Sequence, residues 1–177
     1  MRELKRIRIS KATGPDAVPA KALKCCAEML VLVLTQLFQD SITQGEVPQI
    51  WKLTEIKPIL KIHFPKLFND FRPVVLTSNV IKCLENIVRN IISEKMCHLR
   101  DQMQFAYCRN RCVQDASITY INDISKHLDK RNTSARILFI DFSSVFNTIQ
   151  PHILLNKMLE MGYYGNILKW IFSFFNE

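Results

Sequence analysis

The chain has 177 residues, of which 48% are hydrophobic and 23% are charged, so it is a globular chain and not an intrinsically disordered one. Lys and Arg number 24 against 16 Asp and Glu, and the net charge of +8 favours a polyanionic partner such as a nucleic acid. The longest apolar run, Met29 to Leu34, has six residues, whereas a membrane span needs about 20, so we expect no membrane partner.

The first part of the chain is predicted to be a mobile basic arm followed by one long helix. The arm covers residues 1–13, and its positive charge comes from Arg2, Lys5, Arg6, Arg8 and Lys11. Gly14-Pro15-Asp16 marks a turn. Apolar residues at spacings of three, four and seven then predict an amphipathic helix that runs to about Thr43 and is ended by Gly45.

Two segments of alternating polar and apolar residues predict an antiparallel hairpin. The first runs from Leu53 to Leu60 and the second from Phe71 to Leu76, and each contains a proline, which fits an edge strand. Residues 61–70 between them carry the polar and basic side chains of Lys61, His63, Lys66, Asn69 and Asp70. We therefore expect a mobile basic tip.

The second half of the chain combines helices with one short strand. Helical spacing of apolar residues predicts helices at 79–97, 113–128, 152–161 and 166–175. The β-prone run at 135–142 (ARILFIDF) predicts a strand. The pattern as a whole is that of a helix-rich α+β protein.

Asp141 is the position where the local pattern points most directly to chemistry. It follows the apolar run Ile137 to Ile140, and a carboxylate there is costly to bury unless it is paired or bound to a metal. Such a carboxylate can hold Mg²⁺, which prefers oxygen ligands and substrate phosphates. The same pattern fits equally well an Asp that caps the following turn through Ser143 or Ser144.

The six cysteines are expected to be reduced, because no secretory signal precedes them. Buried thiols are favoured over a zinc site. The candidate zinc ligands, whose spacing lacks the paired short intervals of such sites, are Cys97, His98, Cys108 and Cys112.

Several motifs, in order along the chain, resemble those of reverse transcriptases from LINE-type (non-LTR) retrotransposons. The first palm motif of that family resembles residues 139–149 (FIDFSSVFNTI). The segment before the fingers, the fingers motifs and the motif after them resemble residues 11–16 (KATGPD), 47–52 (VPQIWK), 69–78 (NDFRPVVLTS) and 104–116 (QFAYCRNRCVQDA). The resemblance covers nearly the whole chain from Lys11 onward.

The resemblance implies a partial right-hand polymerase. Residues 14–134 correspond to the fingers and residues 135–177 to the start of the palm, with residues 1–13 as the arm before them. The predicted hairpin becomes the fingers hairpin, and the run at 135–142 becomes the central palm strand.

The resemblance also implies site residues in the palm. Asp141 corresponds to the carboxylate that binds the catalytic Mg²⁺ ions, and the backbone carbonyl of Phe142 assists it. Phe146, five residues after Asp141, corresponds to the aromatic that lies under the sugar and excludes a ribose 2′-OH. A plain core aromatic is the alternative for Phe146.

In the fingers, the resemblance implies cations that bind the triphosphate of an incoming dNTP. Arg72 holds the Arg-Pro position of the motif, and Lys61 follows the first hairpin strand, with Lys66 as a competing choice. Arg109 and Arg111 are expected to contact the nucleic acid, and a structural role for them is equally open.

The implied function is that of a fragment of an RNA-directed DNA polymerase, whose intact form uses two-metal nucleotidyl transfer on an RNA template, a DNA primer and dNTPs. The intact protein would be intracellular, in nucleus and cytoplasm.

No Asp-Asp pair occurs in the chain, and the family's second palm segment and thumb are expected beyond Glu177, so we expect the chain alone to be inactive. Cys108 and Val145 depart from the usual Arg and Ala. The alternatives are a catalytically inactive nucleic-acid-binding module and a non-functional remnant of a decayed element.

Overall fold

The computed structural model describes residues 1–142 and 148–176, which form two compact units. Unit 1 contains Met1–Glu94 and Gln150–Glu177, and unit 2 contains Lys95–Ile149. The helices are α1 (Arg2–Arg6), α2 (Ala20–Cys25), α3 (Ala27–Gln44), α4 (Gln49–Lys52), α5 (Asn79–Met96), α6 (Val113–Leu128), α7 (Pro151–Glu160) and α8 (Asn166–Phe175). None of the helices in this part of the chain is long and apolar enough to cross a membrane.

The apolar core of the described residues lies in unit 1. Its buried side chains come from α1, α2, α3, α5, α7 and α8 and include Leu23, Phe38, Leu84, Met158 and Trp170. In α5 the buried positions Ile81, Leu84 and Val88 are three and four residues apart, so they form one face of the helix. The predicted helices at 79–97, 113–128, 152–161 and 166–175 are confirmed by α5 to α8.

Helices α3 and α8 are joined by polar contacts around the end of α3. The indole Nε1 of Trp170 donates a hydrogen bond to Ser41 Oγ at 2.9 Å, and the backbone N of Val47 donates one to Ser173 Oγ at 3.0 Å. Gly45 ends α3 in the left-handed conformation with φ 73°. A side chain at this position would also collide with α8, because a Cβ on Gly45 would lie 2.6 Å from Lys169 Cβ.

The predicted hairpin is confirmed. Strand β1 (Thr54–Leu60) pairs antiparallel with β2 (Phe71–Thr77), in a register that runs from Thr54 opposite Thr77 to Leu60 opposite Phe71. All seven residues of β1 are exposed. The hairpin therefore projects from the core of unit 1 and is anchored at its base.

The strand predicted at 135–142 is wrong. The structure has no strand there, and Leu138, Phe139 and Ile140 are all exposed. The physical reason is that a strand is stabilised by ladder hydrogen bonds to a neighbour, and the sheet of the described residues contains only β1 and β2. The α+β class is confirmed through the helices and the hairpin, without the central palm strand.

Three local predictions are corrected. The arm at 1–13 is not free along its length, because it contains α1 and because Leu4 and Ile7 are buried. The long N-terminal helix is broken at Cys26 into α2 and α3. Among the six cysteines only Cys83 is buried, since it lies on the inward face of α5, so the expectation of buried thiols holds at that position alone.

Candidate nucleotide and nucleic-acid site

Arg72 and Lys61, the predicted triphosphate ligands, lie on β2 and just after β1. Arg72 is directly opposite Ile59 in the register, and residues that face each other across a ladder point to the same side of the sheet. Strand β1 ends at Leu60, so Lys61 begins the hairpin tip, where its backbone N donates a hydrogen bond to the carbonyl O of Asp70 at 2.8 Å.

Lys57 shares the face of Arg72 and was not predicted. It is two residues before Ile59, so it is a diagonal neighbour of Arg72. Its ammonium lies 3.7 Å from Glu55 Oε1, and both side chains are more than half exposed. The alternation of the segment from Leu53 to Leu60 contains the signal, because it places residues 57 and 59 on one side.

The hairpin tip is held by backbone contacts, which the prediction of a mobile tip did not include. The carboxylate of Asp70 accepts hydrogen bonds from the backbone N of Lys66 at 2.7 Å and of Leu67 at 2.8 Å. These bonds, with the charge of Lys61, lower the pKa of Asp70 below its ordinary value. Lys61 is held at the same place, since its Nζ donates to the carbonyl O of Asn69 at 2.7 Å.

The guanidinium of Arg72 is the cation left open on this face. It is exposed, and within residues 1–142 and 148–176 no hydrogen bond or ion pair engages it. An unengaged guanidinium presents a planar fork of donors that matches phosphate oxygens. The hairpin thus holds one free Arg on the same face as Lys57, with Lys61 at the tip, which suits an oligophosphate.

In unit 2, Arg111 and Arg109 differ in their surroundings. Arg111 Nη1 donates to the carbonyl O of Gln104 at 2.9 Å and also to that of Gln102, and its guanidinium carbon lies 5.2 Å from the centroid of the Phe105 ring. These contacts close the loop before α6. Arg109 is exposed and makes no such contact in the described part of the chain.

The start of α6 is capped by Asp115. Its carboxylate accepts a hydrogen bond from the backbone N of Cys112 at 2.8 Å and from the Cys112 thiol at 3.1 Å. Both bonds, and to a smaller extent the charge of Arg111, lower the pKa of Asp115 below its ordinary value. This part of the predicted nucleic-acid motif is therefore an ordered loop and helix start.

Asp141 and Phe142 lie in unit 2 and are both exposed. No hydrogen bond or ion pair within the described ranges engages the Asp141 carboxylate, so its oxygens are open to a hard cation. The carboxylate of Asp141 and the carbonyl of Phe142 are oxygen donors of the kind that Mg²⁺ takes.

In residues 1–142 and 148–176, no group of three His, Cys, Asp or Glu side chains is arranged to hold a metal ion. The candidate zinc ligands among these residues therefore do not form such a group. Phe146 lies outside the described residues.

Comparison with known proteins gives the same family as the motifs. The family model described as "Reverse transcriptase (RNA-dependent DNA polymerase)" matches residues 61–177, well over half of the chain. The matched residues include Lys61, Arg72 and the motif around Asp141.

Three similar proteins carry related names. The "Retrovirus-related Pol polyprotein from type-1 retrotransposable element R1" of Bradysia coprophila is 23% identical over 176 residues, which are 92% of this chain and 17% of that protein. The "Probable RNA-directed DNA polymerase from transposon BS" of Drosophila melanogaster is 23% identical, with 95% and 19% covered. A second Bradysia coprophila Pol polyprotein, from element R2, is 24% identical, with 99% and 20% covered.

The chain thus spans about a fifth of the length of the curated relatives that it matches. The predicted resemblance to reverse transcriptases of non-LTR retrotransposons is confirmed by the family model and by these relatives. The chain belongs to the reverse transcriptase (RNA-dependent DNA polymerase) family.

Proposed function

We propose that this chain supplies the nucleotide-binding fingers and the first metal-binding carboxylate of an RNA-directed DNA polymerase of a non-LTR retrotransposon. The proposal extends the family membership to an activity on an RNA template, a DNA primer and dNTPs. The observation that carries it is the open guanidinium of Arg72 on the face of the hairpin that also carries Lys57.

The hairpin residues have distinct parts in this proposal. Arg72 binds the triphosphate through its paired donors, while Lys57 and Lys61 raise the local positive potential. Lys61 is tethered to the tip through Asn69, so it acts from a fixed place. Lys66, the competing choice, has its backbone N bound to Asp70 and serves the shape of the tip.

The palm residues supply the metal-binding part of the proposed function. Asp141 and the carbonyl of Phe142 would hold Mg²⁺, which when bound supplies electrophilic stabilisation of the phosphoryl group in transfer. Phe146 excludes the 2′-OH of a ribonucleotide, so we expect Phe146→Ala to reduce the preference for dNTPs over rNTPs. Arg109 contacts the template backbone, and Arg111 orders the loop that carries Arg109.

Equilibrium binding of dTTP and dTMP to the 177-residue chain tests the proposal. We expect dTTP to bind more tightly than dTMP, and Arg72→Ala to weaken dTTP binding by about tenfold, as the loss of one charge-assisted pair requires. Arg72→Lys keeps the charge but loses the fork, so it should fall between the two. Lys66→Ala is the matched control, because it removes one cation from the same hairpin. Equal affinity for dTTP and dTMP, or equal losses in Arg72→Ala and Lys66→Ala, would overturn the proposal.

A further inference from the structure

The base of the hairpin is docked against a loop near the start of the chain. Gly14 is buried against the end of β2, so closely that a Cβ on it would lie 2.5 Å from the backbone N of Ser78 and 2.6 Å from the carbonyl O of Thr77. Only a residue without a side chain fits there. The need for glycine at this position comes from close approach of two backbones.

Hydrogen bonds from side chains of the loop and of the β2 end stabilise this contact. Ser78 Oγ donates to Asp16 Oδ2 at 2.5 Å, and the other oxygen of Asp16 accepts from the backbone N of Val18 at 3.2 Å. Asn79 Nδ2 donates to the carbonyl O of Val18 at 3.3 Å. Ser78 and Asn79 are both 1% exposed, so the donor side of their two bonds is shielded from water.

These contacts determine the position of the hairpin because the two strands make few other contacts with unit 1. The residues of β1 are all exposed, and β1 follows directly on α4, where Trp51 contacts Phe38 edge to face at 5.8 Å. The base of β2 is fixed by the loop and by Lys82, whose Nζ donates to the carbonyl O of Thr77 at 2.8 Å. Arg72 is five residues from this base on the same strand.

We propose that residues 12–18 form a latch whose Asp16–Ser78 bond is a positioning contact that holds the hairpin, and with it Arg72, in the orientation that binds a triphosphate. The inference rests on the proposed function of Arg72 and adds Asp16 and Ser78 as positioning residues. They touch no nucleotide. They act through the strand that carries the guanidinium.

Amide hydrogen exchange of the full chain tests the latch without any nucleotide. In Asp16→Ala and in Ser78→Ala we expect the amides of β1 and β2 to exchange about tenfold faster, the factor that corresponds to one such bond, while amides of α3 near Leu34 keep their rates. Gly14→Ala should have the same effect by lifting the loop. Glu28→Ala is the control, since it removes an acid whose ion pair with Lys5 is exposed.

Binding of dTTP then links the latch to the site. Asp16→Ala and Ser78→Ala should each weaken dTTP binding, and their double variant should weaken it no more than either one. Asp16→Asn keeps an acceptor for the Ser78 hydroxyl, so it should retain most of the affinity for dTTP and the slow exchange of the hairpin amides. Unchanged hairpin exchange, or an equal acceleration in α3, overturns the latch. If the chain binds no dTTP, the proposed function fails, and the exchange data still decide whether the latch holds the hairpin.

Discussion

The indole of Trp170 and the hydroxyl of Ser41 meet in the core of unit 1, where Nε1 donates to Oγ at 2.9 Å across 129 residues of sequence. Ser41 Oγ in turn donates to the carbonyl O of Glu46 at 2.5 Å. One hydroxyl therefore joins α8 to the turn that ends α3. This turn leads directly into α4 and the first strand of the hairpin.

Removal of that hydroxyl should destabilise unit 1. Ser41→Ala leaves the buried indole N–H without an acceptor, so we expect it to lower the free energy of unfolding by about 1–3 kcal/mol. Urea unfolding followed by tryptophan fluorescence measures this. Ser125→Ala, at an exposed position of α6, is the control and should change the free energy by no more than about 0.5 kcal/mol. Equal effects of the two variants would argue against the role of the bond.

The thiol of Cys83 should be the slowest of the six to react. Burial raises the pKa of Cys83 to about 11, so almost none of it is thiolate at pH 8. Four of the others, Cys25, Cys26, Cys97 and Cys112, are exposed. Alkylation of the native chain with iodoacetamide, followed by peptide mass spectrometry, should modify these four first and Cys83 only after unfolding. Modification of Cys83 at the same rate as Cys97 would contradict the packing of α5.

Glu85 should make unit 1 less stable as the pH rises through the mildly acidic range. Burial raises the pKa of Glu85 above its ordinary value, with Lys82 and Lys11 opposing the shift. The folded state therefore binds the proton more tightly than the unfolded state. The stability that this proton contributes is full below the unfolded pKa and is lost as pH rises through the folded pKa.

The neutral variant Glu85→Gln isolates this effect. We expect it to be more stable than the original chain at pH 7 and to differ little from it at pH 4, in urea unfolding measured at both values. Glu94→Gln, at an exposed position of the same helix, is the control and should show no such trend. A stability difference that is independent of pH, or larger at pH 4, would rule out the burial of Glu85 as its cause.

Nucleic-acid binding should be weak, sequence-independent and salt-sensitive, because a charge of +8 supplies most of the attraction. The arm is tested by substitution and not by deletion, since Leu4 and Ile7 are part of the core. The double variant Arg2→Gln and Arg8→Gln should make the negative slope of log K against log salt flatter, by about one for each phosphate that the arm no longer neutralises. The control pair, Lys126→Gln with Lys130→Gln, removes the same charge from the end of α6 and the turn after it. Equal changes of slope in both pairs would show that the arm has no special role.

Sequence patterns predicted correctly the helices and strands that are set by the local spacing of apolar residues. The hairpin followed from alternation, and α5 to α8 followed from helical spacing, because those periodicities are set by the chain itself. The strand at 135–142 did not form, because its composition favours a strand but the ladder needs a partner. Helix α1 was missed, since five residues carry little periodicity and Leu4 is stabilised by burial in the core.

In the site, too, local motifs identified residues, whereas contacts between distant segments could not be predicted. Arg72 and Lys61 were named from motifs, and the register then placed Lys57 on the same face as Arg72. The Asp16–Ser78 bond joins residues 62 apart, and no local pattern indicates which loop packs on which strand. Which arginine of the 104–116 motif is engaged was also open in the sequence, because the contacts of Arg111 with Phe105 and Gln104 depend on how the loop turns back.

Binding of dTTP without a metal ion tests most directly the proposal that Arg72 is a triphosphate ligand, because the guanidinium then meets the phosphates with no competing cation. We predict that the original chain and the control Asp141→Asn bind dTTP with the same affinity and that Arg72→Ala binds it weakly. An affinity of Arg72→Ala equal to that of the original chain would contradict the proposal that the hairpin binds the nucleotide.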